Sequence, residues 1–66
     1  MNATQMINAL IAIEHSGKCD PDELRVLRNV RMKLQVSVQH PEPQNIKMAM
    51  DHARDVAEMW GHSLPA

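Results

Sequence analysis

Apolar residues along this chain recur at helical spacing. In the first segment, from about Ala3 to Ser16, residues Ala3, Met6, Ile7, Ala9, Leu10, Ile11 and Ile13 cover more than half of a helix circumference at 100° per residue. Asn2 suits the N-cap, and Gln5 three residues later completes a capping-box pattern. Gly17 supplies a left-handed stop. A surface helix needs a narrower apolar arc, so this one is expected to be covered both by its own chain and by a second subunit. Glu14 interrupts the arc. The expected reading is a side chain at the helix end that reaches out to water. The alternative is a buried carboxylate, which needs a cationic partner, and Arg31 is the candidate.

The second segment has the clearest start. Asp20 fits the N-cap and Pro21 fits N1, with Asp22 and Glu23 in a first turn that favours acidic side chains. A helix over 21–39 places Leu24, Val26, Leu27, Val30, Leu34 and Val38 on one arc, the expected core face. Arg25, Arg28, Asn29, Met32 and Val36 lie on the opposite arc. His40-Pro41-Glu42-Pro43 then forms a stiff corner, because the residue before each proline is pushed out of the α region.

A third helix over about 44–60 follows. Ile46, Ala49, Met50, Ala53, Val56, Ala57 and Trp60 form its core stripe. Ala49, Ala53 and Ala57 stand one turn apart, a row that lets another helix come close. Gly61 ends the helix, and residues 61–66 read as a frayed tail in which Leu64 can fold back. The fold class is therefore all-α: one domain over 1–66, built as a three-helix bundle or a helical hairpin crossed by a third helix.

Size changes this picture. Apolar burial in a 66-residue chain barely offsets the entropy of ordering it, and small domains compensate with disulfides, metals or self-association. The single Cys19 cannot form an internal disulfide, and no zinc-ligand spacing is visible in the sequence. A homodimer is the expected remedy, with Met6, Leu10, Ile13, Met48, His52 and Met59 at its interface. A net charge of −1 gives no global attraction to nucleic acid or to an acidic membrane. The longest apolar run, Ala9 to Ile13, is too short for a span or a signal sequence. A lone thiol fits a reducing cytoplasm.

Chemistry is sparse. Cys19 precedes a helix N-terminus, where a lowered thiol pKa is conceivable, but no residue pattern supports a nucleophile. His15, His40 and His62 sit near helix ends and are expected to cap carbonyls. Met48, His52, Asp55 and Met59 share a stripe behind the third helix, but potential ligands spread over three turns do not converge on a metal. No catalytic residue, cofactor or metal ligand is assigned, and the chain is expected not to be an enzyme. Small size without catalytic motifs gives the compositional impression of an accessory protein of the kind that phages and mobile elements carry.

The outer arc of the second helix is the candidate binding surface: Arg25, Arg28, Asn29, Met32 and Val36. Met32 and Val36 stand among arginines with no core role, which suits a protein partner. Nucleic acid is the alternative. Residues 24–39 carry +4, but Asp20, Asp22 and Glu23 reduce the segment to +1, a weak surplus for a phosphate backbone. The expected function is thus a small module that binds and modulates another protein, as a homodimer.

Overall fold

The computed structural model describes residues 1–40 and 42–64. It holds three helices, α1 (Ala3–Glu14), α2 (Pro21–Gln39) and α3 (Pro43–Met59), packed as a small all-α bundle. Pro41 lies outside the described residues, as do Pro65 and Ala66. The corner expected at 40–43 is therefore seen only through its other members. No described helix is long and apolar enough to cross a membrane.

Local chemistry sets the helix starts. At α1 the Gln5 amide donates to Asn2 Oδ1 at 2.8 Å, and the Asn2 amide donates back to Gln5 Oε1 at 2.9 Å. At α2 the Glu23 amide donates to Asp20 Oδ1 at 2.8 Å, while Glu23 Oε2 accepts from the Asp20 amide at 3.3 Å. Both are capping boxes, which satisfy amides that a helix start otherwise leaves open. α3 begins on Pro43 and has no side-chain cap bond. It ends in a Schellman motif. Gly61 adopts φ +86°, its amide donates to the Glu58 carbonyl, and the His62 amide donates to the Ala57 carbonyl, both at 2.9 Å. α1 ends at Glu14, two residues earlier than its pattern predicts.

α2 is the central element, packed against both neighbours, while α1 and α3 touch each other much less. The core comprises Met6 and Leu10 from α1, Leu27, Val30 and Leu34 from α2, and Ala53, Val56 and Ala57 from α3. Leu24 and Ile46, expected in the core, are half-buried outside it, and two further members of the expected arcs are exposed. Val38 is exposed because it lies in the last turn of the longest helix, and Trp60 is exposed because it is the cap residue where α3 has already ended. The tail is not frayed over its described part, since Leu64 packs on the core.

The expected dimer interface is corrected at two positions. Met6 and Leu10 are completely buried inside the protomer and have no surface to offer a second copy. Of the broad apolar arc of α1, Met6 and Leu10 lie in the core and Ala3, Ile7 and Ile13 pack against it.

Candidate functional site

α2 and α3 leave a groove on one side of the bundle. Asn29, Met32, Lys33, Val36 and Ser37 form one wall, and Asn45, Met48 and Ala49 form the other. It is open, with a volume of about 630 Å3. Its apolar floor is exposed to an unusual degree: Met32 by 51%, Val36 by 56% and Met48 by 66%. Three large apolar residues that share a surface hollow point to a binding site more strongly than scattered ones do. Methionine suits such a surface because its unbranched thioether adapts to irregular partners.

The groove joins residues that the sequence separates. Asn29, Met32 and Val36 belong to the outer arc of α2, and Met48 belongs to the back stripe of α3. His52 and Met59 continue that stripe on the exposed face of α3, outside the groove. Ile13 is half-buried against the core. Among the described residues, Lys33 is the only charge in the groove lining, and no carboxylate pairs with it.

The remaining cations of α2 are committed elsewhere. Arg25 Nη2 lies 3.1 Å from Asp22 Oδ1 on an exposed surface. Arg31 grips Glu14 through two parallel bonds, Nε to Oε2 at 2.5 Å and Nη2 to Oε1 at 3.1 Å, and Arg28 Nε approaches the same carboxylate at 3.6 Å. The Glu14 side chain is 4% exposed and that of Arg31 is 19% exposed. Glu14 therefore does not reach out to water. Side chains on a helix tilt toward its N-terminus, so a carboxylate in the last turn of α1 lies back along α1, where Arg31 of α2 meets it. Arg31 Nη1 also donates to Gln35 Oε1 at 2.9 Å. The hydrogen bonds to Glu14 hold the Arg31 guanidinium protonated above its ordinary range.

No family model, no curated protein and no solved structure matches this chain.

The fold also assembles a cluster that sequence spacing hides. Cys19 in the α1–α2 connection, Glu23 in the first turn of α2 and His62 beyond α3 bring a thiol sulfur, a carboxylate oxygen and a ring nitrogen within 4.8 Å of one another. His62 Nε2 lies 2.5 Å from Glu23 Oε1. His62 thus binds a side chain 39 positions away, although its backbone amide does cap α3. The Cys19 thiol donates to the Ile13 carbonyl at 3.4 Å.

The lowered thiol pKa that a helix N-terminus suggests is not found. Burial pushes the Cys19 thiol up, and the carboxylates of Glu23, Asp20 and Glu14 push it further, against a smaller opposing effect of Ser16. We expect alkylation of Cys19 by iodoacetamide at pH 8 to be several-fold slower in the folded chain than in urea. Because the folded value is the higher one, the protonated thiol stabilises the fold fully below the ordinary thiol range. That contribution is lost as pH rises through the raised value. A folded chain that reacts faster than the unfolded one contradicts this.

Proposed function

We propose that the protein is a small interaction module whose α2/α3 groove receives an amphipathic helix of a partner protein. The observation that carries this reading is the exposure of Met32, Val36 and Met48 together in one groove. Helix-in-groove recognition needs an apolar channel that takes side chains at i, i+3, i+4 and i+7. The groove offers Met32 and Val36, one turn apart on α2, opposite Met48 on α3. Lys33 at its wall, with no carboxylate in the lining, favours a partner helix with acidic flanks. Asn29, Ser37 and Asn45 supply polar groups for its rim. The ion pairs of Arg25, Arg28 and Arg31 weigh against nucleic acid as the occupant.

The double substitution Met32→Glu and Val36→Glu tests this reading. Both residues are exposed, so the chain stays folded and helical by circular dichroism. The carboxylates repel an acidic partner and disrupt the apolar floor, so capture of the partner from a host lysate falls at least tenfold. If the variant folds and captures the same partner undiminished, the groove is not the binding surface. A capture lost on nuclease treatment, or one that falls steeply with salt, favours nucleic acid instead. Self-association, expected from the small core, is the competing occupant. A concentration-dependent particle mass above 7.5 kDa that the double substitution abolishes would assign the groove to a second copy.

A further inference from the structure

We propose that Cys19, Glu23 and His62 form a zinc site that ties three parts of the chain together. A thiolate, an imidazole and a carboxylate are the protein ligands that zinc accepts, and three of them with one open position make a four-coordinate site completed by water. Each comes from a different part of the chain: the α1–α2 connection, the first turn of α2, and the segment after α3. Among the described residues this is the one group of three such side chains whose ligand atoms converge.

The geometry needs only a small adjustment. Zinc lies about 2.3 Å from sulfur and about 2.0–2.2 Å from nitrogen or oxygen, so tetrahedral ligand atoms stand about 3.5 Å apart. The three atoms already lie within 4.8 Å, with His62 Nε2 and Glu23 Oε1 at 2.5 Å. The metal takes the place of the proton between His62 and Glu23, that pair opens, and the Cys19 sulfur moves in by about 1 Å. The thiol exchanges its weak bond to the Ile13 carbonyl for the metal and releases its proton to solvent. Glu23 keeps its second oxygen on the Asp20 amide, which fixes the carboxylate from behind as metal ligands require.

The site answers the weakness of a 66-residue core. It staples the segment after α3 to the start of α2 and fixes the connection from α1, so binding stabilises the folded chain by mass action. It lies apart from the groove and shares no residue with it.

The test is a titration of the reduced full chain with cobalt(II), a coloured substitute for zinc, followed by zinc displacement. The expected result is one metal per chain, an intense near-ultraviolet thiolate-to-cobalt band, and visible bands of tetrahedral strength. Zinc at about a hundredfold excess over its Kd raises Tm by roughly 10 °C or more. Cys19→Ser, which preserves shape and fold, abolishes the thiolate band and most of the Tm rise. His62→Ala weakens cobalt affinity at least about tenfold. A pale octahedral spectrum unchanged by Cys19→Ser, or a Tm indifferent to zinc, overturns the proposal. In that case the Glu23–His62 contact is a purely structural tether, which His62→Ala reveals as a lower Tm with or without metal.

Discussion

Replacing Arg31 with methionine destabilises the protein by about 3 kcal/mol, because Glu14 is then left buried without its main counter-charge. The Arg28 guanidinium, 3.6 Å away and largely exposed, compensates only in part. A chain of this size has roughly 3–10 kcal/mol in all, at about 0.05–0.15 kcal/mol per residue, so the variant stands near its unfolding threshold. At roughly 1 kcal/mol per molar urea for so small a domain, the midpoint falls by about 3 M. The double variant Glu14→Leu/Arg31→Met separates the pair's worth from the cost of breaking it. Two apolar side chains of similar volume remove both desolvated charges, and the double variant recovers most of the lost stability. Urea denaturation of the three proteins measures this. A single variant as stable as the parent would show that Glu14 reaches water after all.

Leu27→Ala costs about 3 kcal/mol or more, through lost burial and the cavity that remains. Leu27 is completely buried on α2, the helix that packs against both others, so neither neighbour can collapse into the space without losing its contact with the other. Met32→Ala, on the same helix, is the control. It removes an exposed side chain and changes stability by no more than about 0.5 kcal/mol. Paired urea curves for the two variants test the helix phase itself. Equal losses would mean that the outer arc of α2 is packed rather than open.

The starts of α1 and α2 could be read in the sequence because they rest on neighbours three residues apart, as in Asn2 with Gln5 and Asp20 with Glu23. The core stripes follow from the helical period, but Leu24 and Ile46 stay at the core's margin, and Val38 and Trp60 are exposed where a helix outruns or exhausts its partners. Glu14 and Arg31 were identifiable as a possible pair from a charge set in an apolar arc. Which way Glu14 turned depended on the tilt of side chains in a last helical turn. Within the α1 stripe, Met6 and Leu10 are completely buried inside one chain. The candidate sites depend on the packing of distant segments. Met32 and Val36 look anomalous in sequence, and Met48 looks anomalous separately, but only the approach of α2 to α3 joins them into a groove. Cys19, Glu23 and His62 have no motif spacing, and only the return of the chain after α3 brings them together.

The groove can be tested by methyl spectra of the chain labelled with 13C at its methionines, titrated with an acidic amphipathic helical peptide. The methionines are distributed as the test requires: Met32 and Met48 line the groove, Met6 lies in the core, and Met1, Met50 and Met59 lie elsewhere. The account predicts saturable shifts at Met32 and Met48, little change at Met6 and Met59, and loss of binding when Lys33 and Val36 are both replaced by glutamate. Shifts confined to Met1, Met50 or Met59, or a flat titration at millimolar peptide, would contradict it.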